Sequence, residues 1–144
     1  MIRVLSIGKL KDRRVAALVA EYEGRIRALA PFAQVELRDE TPDREAQAML
    51  GRLGSAAGHE WVVALDEKGR EVTSRGLAEL LGKHGAIAFL IGGPDGLGAA
   101  ARERADLTLR LSALTLPHEL ARLLAVEQIY RALTILRGHA YHRD

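Results

Sequence analysis

The chain has no cysteine among its 144 residues, which excludes disulfides, thiolate metal sites and a cysteine nucleophile together. It has almost no net charge: 21 basic residues against 19 acidic leave +2, so non-specific attraction to nucleic acid across the whole surface is excluded. The isoelectric point near 9.2 leans basic, and any RNA contact must come from local patches. It has no apolar run approaching the ~20 residues of a membrane span. The opening Ile2–Ile7 run is too short for a signal-peptide core and contains Arg3, so the expected location is cytoplasmic. No repeat, low-complexity tract or linker divides it, and a hydrophobic fraction of 48% is ordinary for one soluble domain spanning 1–144.

What is present alternates. Ile2–Ile7 reads as a strand stopped by Gly8, followed by a helix capped by Asp12, with Val15, Leu18, Val19, Tyr22, Ile26 and Leu29 at helical spacing and Pro31 as its stop. Ala33–Arg38 is expected as a strand, and Thr41-Pro42 opens a helix to about Leu53 whose end is crowded by Gly51, Gly54 and Gly58. Trp61–Leu65 is a third strand, Ser74 the cap of a helix carrying Leu77, Leu80 and Leu81, Ala86–Ile91 a fourth strand and Leu107–Leu111 a fifth. Such alternation predicts an α/β fold, a mostly parallel sheet with helices on both faces. The last helix, Pro117 to Arg137 with Gly138 as its stop, has apolar residues over roughly 200° of its circumference. One sheet face needs less, so burial on two sides and a homodimer are expected, the alternative being neighbours within the same chain.

Ligands of open α/β sheets sit beyond the carboxyl ends of the strands, and Ile91 leads there into Gly92-Gly93-Pro94-Asp95-Gly96-Leu97-Gly98, with four glycines in seven residues. Either a backbone approaches a ligand closely here or the glycines serve a turn that needs positive φ. Gly96-Leu97-Gly98-Ala99-Ala100-Ala101 fits a loose dinucleotide pattern, late in the chain, and the absence of a following Lys and Ser/Thr pair excludes a P-loop. Ser112–Pro117 joins a strand to the long helix with few charges, so it is either a plain connector or a source of main-chain groups for an adenine edge or ribose. His118 and Arg122 share one helix face; Glu127 and Arg131 form an i, i+4 pair nearly opposite, read as a surface or interface salt bridge. His139, Tyr141, His142 and Arg143 could order onto a substrate or stay disordered. Lys9, Lys11, Arg13 and Arg14 make a basic cluster, a solvated patch or an RNA phosphate contact.

Taken in order, Leu90–Leu97, Leu111–His118, Glu127–Ala132 and Tyr141–Arg143, with Ile7–Lys11 and Glu21-Tyr22, closely resemble the RlmH family of ribosomal RNA methyltransferases over the whole chain. Ala140 stands where a proline often sits, and Arg38–Gln47 is shorter than in many members. The resemblance implies the SPOUT class, with a C-terminal trefoil knot, and methyl transfer from S-adenosylmethionine to N3 of a pseudouridine in large-subunit (23S) rRNA on the assembled ribosome. By position it implies a cofactor pocket of Leu65, Gly93, Ser112, Ala113, Leu114, Thr115, Leu116 and Pro117, a homodimer with each site completed by the partner, and neither metal nor membrane. The imide N3 must lose a proton, for which His142 or His118 is the expected acceptor, Arg143 stabilising charge on the base carbonyls and Tyr141 stacking on or orienting the base. Arg131 and Arg122 would hold the tail or a phosphate. The alternatives are a ribosome-binding or assembly factor with the same fold but no catalysis, and a dinucleotide-dependent enzyme.

Overall fold

Five strands and five helices alternate along the chain in a computed structural model that describes residues 1–54 and 59–144. They are β1 (Ile2–Ile7), α1 (Arg13–Arg27), β2 (Phe32–Leu37), α2 (Pro42–Arg52), β3 (Trp61–Arg70), α3 (Ser74–Lys83), β4 (Ile87–Ile91), α4 (Ala99–Arg104), β5 (Leu107–Leu109) and α5 (His118–Arg137). All neighbours in the sheet pair parallel, in the order β2-β1-β4-β3-β5. The expected α/β sheet covered on both faces is therefore the observed one, and every strand delivers the chain to the same edge.

Alternation along the strands splits the interior into two cores. Ile87, Phe89 and Ile91 of β4 pack with Val19, Ile26, Leu77, Val126 and Ile129 beneath α1, α3 and α5. Ala88 and Leu90 pack with Met49, Ala46 and Ala101 beneath α2 and α4. A strand buried on both sides has to be apolar throughout, which is why β4 reads as an unbroken hydrophobic run. α5 contacts both α1 and α3, and its buried face includes Ala125, Val126, Ile129, Ala132 and Leu133. Leu120 and Leu124 remain 42% and 39% exposed on the opposite stripe, so neighbours in the chain do not use the full apolar arc.

The helix ends follow side-chain chemistry. Asp12 caps α1 by accepting the amides of Arg14 and Val15, and those bonds with the Arg14 guanidinium hold its carboxyl down at about 2. Thr41 caps α2 as expected, with Pro42 in its first turn. α3 is capped by Thr73, whose hydroxyl accepts the Gly76 amide at 3.0 Å, with the expected cap Ser74 its first helical residue. Pro117 is the N-cap of α5 rather than part of its first turn, and Gly138 ends that helix. β3 continues five residues past the expected Leu65, β5 stops at Leu109, and α4 is a helix the sequence pattern did not reveal. Gly51 lies inside α2, and Gly58 lies outside the described residues.

Candidate active site

The carboxyl ends of β3, β4 and β5 frame a cleft of about 510 Å³, within the range of small-molecule sites. Its wall is built from three segments: Leu65–Lys68 after the apolar part of β3, Gly92–Leu97 after β4, and Leu109–His118 excluding Ala113, between β5 and α5. Of the residues expected to hold a cofactor, Leu65, Gly93, Ser112, Leu114, Thr115, Leu116 and Pro117 all line this one cleft. Ala113 is exposed between Ser112 and Leu114 and does not line the cleft.

The glycine loop is a tight turn whose geometry explains its composition. The Gly96 amide donates to the Gly93 carbonyl at 3.0 Å, and Gly96 has φ +80, where a side chain is strained. A Cβ on Gly92 would stand 2.6 Å from the Gly96 carbonyl carbon. The loop thus needs its glycines for its own folding, and the resulting turn presents main chain to the cleft. Ser112 does the same in the facing loop, its hydroxyl accepting the Leu114 amide at 2.9 Å.

Sequence reasoning missed several charged groups of the wall: Asp66, Glu67, Lys68, Asp95, Arg102 and Arg110. Asp66 and Arg102 approach to 3.6 Å, and Arg102 also donates to the Leu97 carbonyl, tying α4 to the glycine loop. The rim therefore carries three acidic and three basic side chains and suits a ligand with both hydroxyl and charged groups. The run Asp66-Glu67 directly after an apolar strand was the available signal. Glu45 is buried beside the same loop, its carboxylate accepting the Glu40 amide at 2.8 Å and standing 4.0 Å from where a Gly93 Cβ would be. Burial, then the bond to Asp39, push its pKa up against the lowering effect of the Glu40 amide.

His118 lines the cleft and is exposed. Arg122, one turn on, holds neither tail nor phosphate: it is buried, donates to Glu36 at 2.8 Å and to the Gly8 carbonyl at 3.2 Å, and braces β1, β2 and α5 together. Its partner Glu36 lies 86 positions away in sequence, beyond any helical pattern.

The tail docks elsewhere. Glu127 accepts from Arg131 at 2.7 Å and from the Tyr141 hydroxyl at 3.0 Å, and Tyr141 lies edge-on to Tyr130 with the Arg131 guanidinium 4.8 Å from its ring centre. Burial, then hydrogen bonds to Tyr22 and Glu127, drive the Tyr141 pKa well above the usual phenol range. Arg131 does hold the tail, its Nη1 lying 3.1 Å from His142 Nδ1. Because a guanidinium only donates, Nδ1 must accept, which leaves Nε2–H to donate to Asp144 at 2.9 Å. Both nitrogens of His142 are committed in this arrangement. Asp144 in turn pairs with Arg75 at 2.6 Å, which with His142 lowers its carboxyl to about 2. His139 and Arg143 are exposed. Glu127 and Arg131, which hold Tyr141 and His142, are 9 and 13 residues along α5 from His118, about 13 to 20 Å at the helical rise, and no residue of the tail lines the cleft of its own chain.

A family model described as "Predicted SPOUT methyltransferase" matches residues 1–142. The chain belongs to the SPOUT methyltransferase family. Among its relatives, a protein of Synechococcus sp. (strain RCC307) named ribosomal RNA large subunit methyltransferase H is 50% identical, the match covering 99% of this chain and 95% of that one. A protein of the same name from Anaeromyxobacter sp. (strain Fw109-5) is 42% identical with 99% of both chains covered. In fold the chain is similar to the SpoU methyltransferase AviRb of Streptomyces viridochromogenes, solved in complex with the cofactor AdoMet, with a TM-score of 0.55 at 17% identity. That match covers 95% of this chain but 58% of the AviRb chain.

Proposed function

We propose that this SPOUT methyltransferase transfers the methyl group of S-adenosylmethionine to N3 of a pseudouridine in 23S rRNA on the assembled ribosome, with residues 1–144 acting as one domain in the cytoplasm. The observation that carries the reading is the convergence of Leu65, Gly93, Ser112 and Leu114–Pro117, from three segments distant in sequence, on one cleft of about 510 Å³. The family membership and the shared name of relatives at 50% and 42% identity support it. No helix among the described residues is long and apolar enough to cross a membrane. The trefoil knot implied by the resemblance belongs to this same reading.

The cleft fits the cofactor chemically. Main chain from the two loops can meet an adenine edge without using side chains, and the carboxylates of Glu67 and Asp95 are available to ribose hydroxyls or an amino group. S-adenosylmethionine supplies an electrophilic sulfonium methyl, so the new N–CH3 bond forms as the S–CH3 bond breaks and its electron pair stays on sulfur. The protein's work is to align the two reactants and to remove the N3 proton. Of the two histidines considered, His118 stands in the cleft with an exposed ring, while His142 has both nitrogens engaged. The reading therefore assigns proton acceptance to His118 and the exposed guanidinium of Arg143 to the base carbonyls, with Tyr141 and His142 shaping the tail that carries it. Because the tail stands far from its own cleft, the tail serving each site is that of a second copy, in a homodimer joined through the outward stripe of α5.

The test is transfer of a labelled methyl to ribosomes lacking the modification, with the methylated nucleotide mapped and calorimetry run with S-adenosylmethionine and with NAD. The expected result is S-adenosylmethionine binding, one methylated pseudouridine, and much weaker transfer to an isolated hairpin. Ribosome binding without cofactor binding would establish the assembly-factor alternative instead.

A further inference from the structure

Residues 8–12 form the turn between β1 and α1, and Lys9, Lys11, Arg13 and Arg14 project from it and from the first turn of the helix, all exposed. Because the sheet is parallel, this turn stands at the same edge as the cleft. It is not a loose loop. The Glu119 carboxylate accepts the amides of Lys11 at 3.2 Å and Asp12 at 3.1 Å, and Arg122 donates to the Gly8 carbonyl at 3.2 Å. Both anchors come from the start of α5, and Glu119 directly follows His118 of the cleft wall. On the other side the Gly8 amide donates to the Leu37 carbonyl at 2.8 Å, which sets exposed Arg38 beside the turn. Asp12 pairs with Arg14 at 2.9 Å, whereas among the described residues Lys9, Lys11, Arg13 and Arg38 form no ion pair.

The backbone is thus fixed by polar contacts from α5 while the cationic side chains are left free. Clustered like charges repel and disfavour the folded state, so a rigid array of them has its use in meeting a polyanion. We propose that the β1–α1 turn, with Arg38, is a docking platform for the phosphodiester backbone of the RNA strand that delivers its base to the adjacent cleft. Contacts to phosphate set register and orientation without reading sequence, which is the task left once the cleft and tail recognise the base. This inference rests on the rRNA methyltransferase reading, and it explains how a chain of net charge +2 engages RNA: the positive charge is concentrated where the strand must lie.

The test compares wild type, the triple variant K9A/K11A/R13A, the charge-conserving variant K9R/K11R and the control K83A, whose lysine lies in the last turn of α3 leading into the opposite sheet edge. S-adenosylmethionine binding by calorimetry should be equal in all four, which shows that they fold. With ribosomes as substrate, the triple variant should show KM raised about tenfold at ~0.1 M salt, kcat within about twofold, and a slope of log KM against log salt shallower by about 2 to 3, nearly one per lost phosphate contact. K9R/K11R and K83A should keep the wild-type slope. A triple variant with wild-type KM and slope overturns the platform. Co-sedimentation with ribosomes is read in parallel, so a wild type that transfers no methyl would overturn the enzymatic reading while the salt slope of binding still decides the platform.

Discussion

His118 and His142 are chemically the same group in different situations. The first faces a cleft; the second is held between a guanidinium that can only donate to it and a carboxylate that can only accept. Removing the acceptor of the N3 proton should lower kcat by about 10²- to 10⁴-fold. We expect that loss in His118→Ala, with S-adenosylmethionine affinity kept within a few-fold, whereas His142→Ala should chiefly loosen the tail and raise KM for ribosomes. Single-turnover rates would decide, and a normal rate in His118→Ala would move proton loss to water. Glu45 offers a second test at this scale. Its folded pKa is raised, by burial first and by Asp39 next, so its protonated form is favoured in the fold. The stability it contributes is complete below its unfolded value of about 4.3 and declines as pH rises through the folded value. Glu45→Gln keeps an oxygen for the Glu40 amide and removes the charge, so it should raise the melting temperature at pH 7, with the gain shrinking toward pH 4. Thermal melts from pH 4 to 8 with the same profile for both proteins would refute the assignment.

At the scale of elements, the glycine loop and α4 are fitted to α2 by a near contact between backbones. A Cβ on Gly98 would collide with the Pro42 carbonyl and stand 2.9 Å from Ala46 Cβ, so neither helix can give without moving a strand connection. Gly98→Ala should cost about 1–3 kcal/mol and weaken cofactor binding. Gly24, in α1 with open space around it, is the counterpart: Gly24→Ala should stabilise by about 0.5–1 kcal/mol. Equal denaturation midpoints for the two variants would show that the α2 and α4 contact is slack. The same elements show where pattern reading reaches its end. β1 and β4 are apolar because they are buried, and Asp12 and Thr41 cap helices through bonds within a few residues, so local sequence carries all the information needed. β3 runs on through polar Asp66–Arg70 because Arg70 pairs with Leu109 of β5 after an irregularity, a non-local cause with no apolar alternation to betray it. α4 is six residues long and follows directly on the glycine loop, so its periodicity is too brief to register. The wall of the cleft was legible from the glycine and Ser112–Pro117 segments, whereas Arg102 enters it, and Glu45 comes to lie beside the glycine loop, only through tertiary packing.

For the whole molecule, the question is how a tail anchored about 13 to 20 Å along α5 can serve a cleft at that helix's start. Within one chain the anchoring is extensive: Glu127, Arg131, Tyr130 and Tyr22 all engage Tyr141, and Arg75 engages Asp144. Releasing it would give up several partly buried contacts at each turnover. Two antiparallel copies of α5 packed through Leu120 and Leu124 would instead bring the tail of one chain toward His118 of the other without undocking either. Exposed leucines on a helix already buried on its other face favour such an arrangement, because they lose water contact only when a partner covers them. A charge in that stripe should separate the copies while leaving the cleft intact, since Leu124 lies outside its wall. We therefore expect Leu124→Asp to be monomeric at micromolar concentration by light scattering, to bind S-adenosylmethionine within a few-fold of wild type, and to lose methyl transfer to ribosomes by more than about a hundredfold. Mixing inactive His118→Ala with an inactive Arg143→Ala chain under conditions that exchange subunits should restore activity, because each mixed dimer keeps one site with both residues intact. Failure of that mixture to recover any turnover, or a wild type that is monomeric at the same concentration, would place tail and cleft in one chain and require the tail to leave α5.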